Sequence, residues 1–266
     1  MTKKRILVAP LDWGLGHAAR CIPIIRYLLE KNCEVIIGTC GRSLDLMKKE
    51  PACRQASFLE IPGYNITYPK SGSMVLKIAT QIQKILKGIK QEHVQLEKIV
   101  AEKKIDAVIS DNRFGLWSKN VPCVFITHQV TVKSPLGENF IRNKNLEYIS
   151  KFSECWIPDV KNGLSGDLGN KFKLPGNGKY IGLLSRFNIP ASTSSGQALT
   201  HPSGGDIRDL LVILSGPEPQ RTIFEKKVLE QSASLKLKTL IVQGITERNE
   251  RKNISRDVEM VSHLTS

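Results

Sequence analysis

The chain has 266 residues, with 39 Lys and Arg against 25 Asp and Glu, and 41% of its residues are apolar. That composition supplies enough Val, Ile and Leu for a packed core and excludes wholesale disorder. No run approaches the roughly 20 apolar residues of a membrane span, and the stretch behind Lys3-Lys4-Arg5 is too short for a secretion signal and is broken by Asp12, so a cytoplasmic location is expected.

Lys4 to Pro10 (KRILVAP) is a short apolar run bounded by charge, which predicts a buried strand. A glycine-containing turn, Leu11 to Gly16, follows. From His17 to Lys31 the apolar residues Ala18, Cys21, Ile22, Ile25, Leu28 and Leu29 fall at helical spacing, and Glu34 to Thr39 (EVIIGT) reads as a second strand. This strand–turn–helix–strand unit opens a doubly wound parallel sheet. Ser57 to Ile61 is a third candidate strand.

Ser73 to Lys104 carries the longest helical pattern, with Val75, Ile78, Ile82, Ile85 and Ile89 on one face and Lys77, Lys84 and Lys87 on the other. The basic back suits either a solvated surface or contact with anionic lipid. Strands are expected at Ile105–Asp111, Val121–Gln129 and Cys155–Pro158, with a helix over Asn139–Phe152. Alternation of this kind argues for right-handed parallel crossovers.

Residues 190–206 (PASTSSGQALTHPSGGD) have little to bury and read as a loop. The pattern then restarts with a strand at Leu210–Ser215, a turn at Gly216–Gln220, a helix at Thr222–Ser232 and strands at Leu240–Gly244 and Val258–Val261. The expected division is a domain over 1–185, a linker over 186–207 and a second domain over 208–266. Sixty residues make a small core for an α/β domain, so the second domain is expected to be incomplete and the chain truncated. The alternative is that this segment completes the first sheet.

Charge is uneven: residues 1–150 hold 23 basic and 13 acidic side chains, against 16 and 12 in the remainder. A basic first half suits an anionic partner. Aromatics are only 6% and do not interleave with the basic residues, so nucleic acid is not expected. Six cysteines without a C-x-x-C pair read as buried thiols, and five isolated histidines give no support for a metal site.

Five strand ends carry the candidate chemistry. Gly14, Gly16 and Ala19 satisfy G-x-G-x-x-[GA] between a strand and a helix, where backbone N–H groups favour anions. The second strand ends Gly38-Thr39-Cys40 without the acid that would hold a ribose. Arg42 leaves an NADP-dependent oxidoreductase open, and a tight turn with no ligand also fits. His17, straight after the glycines, can take a proton from a hydroxyl. Asp111-Asn112-Arg113 and His128-Gln129 end two further strands, where they suit a polyhydroxylated ligand or serve only as caps. In the second unit Ser215, Gly216 and Arg221, with Gly244 at the next strand end, could hold a diphosphate, although the intervening prolines remove donors.

Taken together, PLDWGLGHAARCIPI (10–24), SDNRFG (110–115), FITHQ (125–129) and LVILSGPEPQR (211–221) resemble the bacterial glycosyltransferases of the family 28-like group, related to the enzyme that adds N-acetylglucosamine to lipid I in peptidoglycan synthesis. The resemblance implies an α/β chain of the GT-B class with two Rossmann-like domains, an acceptor site in the first and a UDP-sugar site in the second. It implies an inverting, metal-independent transfer without cofactor, with His17 or Asp111 as catalytic base. Gly14, Gly16, Asn112, Arg113, His128 and Gln129 would then bind the acceptor, and Ser215, Gly216, Arg221 and Gly244 the nucleotide sugar. An N-acetylhexosamine donor, a lipid-linked or other glycan acceptor, and a place on the inner face of the membrane in cell-envelope synthesis belong to the same expectation. The lipid I enzyme has Gly-Gly-His where this chain has Gly-Leu-Gly-His, which favours a relative over the same enzyme. Other readings are a non-catalytic acceptor- or membrane-binding fragment and a nucleotide-sugar epimerase or hydrolase.

Overall fold

A computed structural model describes residues 3–64, 66–67, 80–130, 138–166, 174–186, 207–216 and 218–263. The chain divides into two compact units, Met1–Ser185 and Arg186–Ser266.

The first unit is built on strands β1 (Arg5–Pro10), β2 (Glu34–Thr39), β3 (Ser57–Glu60), β4 (Ala107–Asp111), β5 (Cys123–Ile126), β6 (Glu154–Ile157) and β7 (Gly178–Tyr180). They pair in the order β3-β2-β1-β4-β5-β6-β7, every pair parallel. Helices α1 (Leu15–Glu30), α2 (Gly41–Lys49), α3 (Ile82–Lys103) and α4 (Glu138–Ile149) cover it.

Alternation along β1 explains the two cores. Leu7 and Ala9 enter a cluster with Leu96, Ile99 and Val100 of α3 and Ile149 of α4. Ile6 and Val8 enter the opposite cluster with Ala18, Cys21, Ile22 and Ile25 of α1 and Met47 of α2. A strand buried on both faces must be apolar at successive positions, which is the pattern RILVAP shows. Each fully buried Ile or Leu contributes about 1.5–3 kcal/mol relative to exposure.

Several elements differ from expectation. α2 carries only Leu44 and Met47 as buried apolar anchors, too few for a periodic signal. β5 is shorter than the expected strand: after Ile126 the chain leaves the sheet, and Thr127 Oγ1 accepts the N–H of Gln129 at 3.0 Å. In α3 the described helix begins at Ile82, and Val75, Ile78 and Lys77 lie outside the described residues. Ile82 is exposed, because the buried face runs through Ile89, Glu92, Leu96 and Ile99. Most of the expected linker also lies outside the described residues.

The second unit has its own sheet, so the alternative in which it completes the first is not met. Strands β8 (Leu210–Ile213), β9 (Thr239–Val242), β10 (Arg251–Asn253) and β11 (Val258–Val261) pair in the order β10-β11-β9-β8, with α5 (Gln220–Ser232) between β8 and β9. The sheet is not wholly parallel: β10 runs antiparallel to β11. All three residues of β10 are exposed, so nothing in their hydropathy announces a strand. Leu214, Val228, Ile241 and Val258 form this unit's core.

Candidate active site

In the strand order of the first unit, the connections leave β1 and β4 in opposite directions. That switch point opens a crevice at the strands' carboxyl ends. Pro10 pairs with Asp111 in register across it, and the Leu11 N–H donates to the Asp111 carbonyl at 3.0 Å. The β1–α1 turn therefore lies directly beside the end of β4.

Helix α1 starts at Leu15 behind an extended Gly14, and its first turn carries no acidic residue. Its N-terminal N–H groups thus point at the crevice without an internal carboxylate to meet them. A Cβ added at Gly14 or Gly16 would meet no atom within 4 Å. Space beside the backbone is therefore open at both positions.

His17 sits in this first turn, and Arg20 follows one turn later on the same side. His17 Nδ1 lies 2.9 Å from Asp111 Oδ1. Arg20 donates Nε–H to Asp111 Oδ2 at 2.5 Å and Nη2–H to Asp111 Oδ1. Arg20 Nη1 reaches His128 Nδ1 at 2.7 Å, and Nη2 lies 2.9 Å from His17 Nδ1. Asp111 is 0% exposed, while His17 and Arg20 keep 16% and 13% of their side-chain surface.

Burial alone would raise the Asp111 carboxyl, but the hydrogen bonds and charges of Arg20 and His17 outweigh it and hold the group below its ordinary value. Asp111 is thus a sealed, ionised acceptor. This corrects one expectation: with no exposed surface and three side-chain partners, Arg20, His17 and Cys21, Asp111 does not meet a bound hydroxyl, and its place is behind His17. His17 Nδ1 thus faces a donor, Arg20 Nη2, and an acceptor, Asp111 Oδ1, at equal distance; Nη2 already donates to Asp111 Oδ1, so a proton on Nδ1 directed at the carboxylate satisfies all three groups, and in the neutral ring that leaves the lone pair on Nε2. The Cys21 thiol donates to Asp111 Oδ2 at 3.5 Å, and burial pushes that thiol well above its ordinary value.

Arg113 is a second correction. It is 0% exposed, with Nε donating to Glu92 Oε1 at 2.5 Å and its Nη atoms to the carbonyls of Ile61 (3.1 Å) and Pro62 (2.6 Å). Glu92 also accepts the Tyr64 hydroxyl at 2.6 Å and the Gly115 N–H at 2.9 Å. A Cβ at Gly115 would stand 2.4 Å from the Ile89 carbonyl, so only glycine lets this loop approach α3 so closely. Every donor of Arg113 that could meet an acceptor substrate is turned inward. Asn112, between the two networks, is left-handed at φ 59° and part-exposed. His128 is half-buried and Gln129 exposed.

In the second unit, Ser215 is exposed after β8 and Gly216 has φ 112°. Gly244, after β9, has φ 66°, and a Cβ there would fall 2.5 Å from the Leu214 carbonyl. These two turns are therefore glycine-dependent. Arg221 is not part of them. It is 6% exposed and bound to Glu218 Oε1 (2.6 Å), Glu225 Oε2 (2.5 Å) and Thr222 Oγ1 (2.9 Å). Glu218 also accepts the Thr222 N–H at 3.2 Å, so a carboxylate already occupies the start of α5. Arg221 is consequently a structural cation, which corrects its expected role toward a diphosphate.

Arg20 and Glu92 are the two residues that sequence reasoning missed. Spacing of three from His17 was the available signal for Arg20; for Glu92 there was none, since it resembles any polar residue of a basic helix. Among the described residues no cluster of three or more His, Cys, Asp or Glu could hold a metal ion, and no helix is long and apolar enough to cross a membrane.

No protein-family model matches the chain, and no curated protein is similar to it in sequence. Solved structures are similar in fold. Arabidopsis thaliana UGT89C1 complexed with quercetin superposes with a TM-score of 0.55 at 14% identity, covering 100% of this chain and 70% of that one. The glycosyltransferase SnogD from Streptomyces nogalater gives 0.54 at 12%, covering 99% and 72%. The glycotransferase of kitacinnamycin gives 0.53 at 12%, covering 98% and 71%. At such identities the likeness establishes architecture: this is an α/β chain with the GT-B fold of those glycosyltransferases.

Proposed function

We propose that this protein is a glycosyltransferase that moves a sugar from a UDP-sugar to an acceptor hydroxyl. The observation that carries the reading is the histidine at the switch-point crevice, its Nδ1 against a sealed carboxylate and its side chain still part-exposed. The hydroxyl gives its proton to His17 Nε2 as its oxygen attacks the anomeric carbon. The new C–O bond forms while the bond to the β-phosphate breaks, and UDP leaves with the electron pair. Asp111 holds the imidazole in orientation and stabilises the imidazolium that forms. In the second unit the glycine-dependent turns at Gly216 and Gly244, with Ser215, supply backbone N–H groups and a hydroxyl for the nucleotide. The sequence resemblance adds an N-acetylhexosamine as the transferred sugar.

A lipid-linked acceptor is the finer part of the proposal. Helix α3 exposes Ile82, Leu86 and Val94 together with Lys84, Lys87, Lys90 and Lys98. Apolar and basic side chains mixed on one exposed helix surface suit the headgroup layer of an anionic membrane.

Two measurements test this. Purified protein is incubated with UDP-N-acetylglucosamine and glycan acceptors, and release of UDP is compared with that of His17→Ala. UDP release that is acceptor-dependent and lost in the variant is expected; equal release by both removes His17 as base. Co-sedimentation with phosphatidylglycerol vesicles at low salt tests the membrane part, and absence of binding there ends it.

A further inference from the structure

Two imidazoles flank Arg20, each with Nδ1 beside a guanidinium nitrogen, and only that of His17 also faces the Asp111 carboxylate. Arginine cannot lose its proton in a protein, so each of its nitrogens is a donor only. Nη1 lies 2.7 Å from His128 Nδ1. No other polar partner of that nitrogen is found among the described residues. At such a distance Nδ1 must accept, since a proton on it would face the N–H of Nη1 directly. A neutral imidazole that accepts through Nδ1 carries its hydrogen on Nε2. His17 Nδ1 also lies 2.9 Å from Arg20 Nη2, but that nitrogen donates to Asp111 Oδ1 and His17 Nδ1 faces the same carboxylate oxygen at 2.9 Å, so there the carboxylate is the acceptor and the hydrogen belongs on Nδ1.

We propose that Arg20 is a positioning residue that locks His128 as the neutral Nε2–H tautomer, presenting a hydrogen-bond donor beside the proton acceptor His17. The charged and titratable groups facing His128 are Arg20 and His17 from α1 and Asp111 from β4. Burial, Arg20 and His17 favour its neutral form and outweigh Asp111, which agrees with the lock. A donor and an acceptor side by side match a substrate with neighbouring hydroxyls, such as a sugar ring, better than one with a single hydroxyl. This meaning rests on the proposed transfer reaction, whereas the tautomer does not.

The test is long-range proton–nitrogen correlation of the imidazoles in uniformly 15N-labelled protein, with His128 assigned by the loss of its signals in His128→Gln. His128 is expected to show an unprotonated Nδ1 and a protonated Nε2, and to titrate with a midpoint below pH 6.5, where an unperturbed histidine is about half protonated. A proton on Nδ1, or half-titration at that pH, overturns the proposal. In Arg20→Met the lock should disappear and the midpoint should return towards that ordinary value; an unchanged signature also overturns it. Because Arg20→Met strands the buried Asp111 carboxylate, the pair Arg20→Met with Asp111→Leu gives the same reading if the single variant does not fold. The spectra separate the two claims: a proton on Nε2 of His17 sinks the general-base reading and leaves the His128 assignment standing.

Discussion

Asp111 and Arg113 stand two residues apart, yet they anchor networks of opposite character. Around Asp111, a buried carboxylate and a guanidinium lead outward to His17 and His128, and the network ends in two part-exposed imidazoles. Around Arg113, the guanidinium, Glu92, Tyr64 and two backbone carbonyls close on themselves, with 0% and 4% of the two charged side chains exposed. Buried charge by itself therefore does not mark a reactive site. The difference is whether the chain of hydrogen bonds stops at a partner or at an atom with a free lone pair or proton.

The largest expected effect that would break this contrast comes from His17→Ala. Loss of a general base costs about 10³-fold in rate, while the melting temperature should stay near that of the parent, since His17 terminates its network. A variant with full activity, or one that melts much earlier, erases the distinction. Arg113→Met should do the reverse. Stranding the Glu92 carboxylate costs about 3–5 kcal/mol of stability by denaturant titration, with turnover per folded molecule little changed. A tenfold fall in that turnover would merge the two networks.

Next in size is Tyr64→Phe, which removes one hydrogen bond to a carboxylate and one from the Phe114 N–H. About 1.5–3 kcal/mol is expected, visible in the chemical-denaturation midpoint and absent from kinetics. His128→Phe should raise the acceptor KM about tenfold by deleting a donor, whereas His128→Gln, whose amide N–H replaces the Nε2–H, should restore most of it; equal effects of the two would make His128 a space-filler.

The smallest effect is in pH. Asp111 has a carboxyl depressed in the folded state. Its contribution to stability is full above the ordinary carboxylate value, about pH 4, and fades as pH falls through the lower folded value. The stability gap between the parent and Asp111→Asn should therefore narrow only in acid. A gap that narrows between pH 6 and 8 would place the titration elsewhere.

The sequence makes half of this contrast legible. β1, α1, β2 and β4 follow from apolar runs and helical spacing, and the placement of Asp111 and His17 at strand and helix ends follows from the doubly wound order. Arg20 looks like an ordinary solvated helix residue between Ala19 and Cys21, and only the end of β4, 91 positions later, gives it a purpose. Arg113 reads as ligand-facing because nothing local reveals Glu92, 21 residues upstream in a helix that is polar by composition. The burial of an arginine depends on a distant partner, and periodicity does not report distant partners. β10 is hidden for the opposite reason: Arg251, Lys252 and Asn253 bury nothing.

Asn112 is what keeps the networks apart. In an uninterrupted strand, positions 111 and 113 would project to the same face. The left-handed turn at Asn112, φ 59°, swivels the backbone between them. Asparagine tolerates that conformation and β-branched residues do not. A valine at this position would straighten the swivel and aim both side chains into one compartment, where a single opening cannot serve an anchor and a proton carrier at once. One short amide side chain thus acts as a partition wall, and its loss would be felt on both sides.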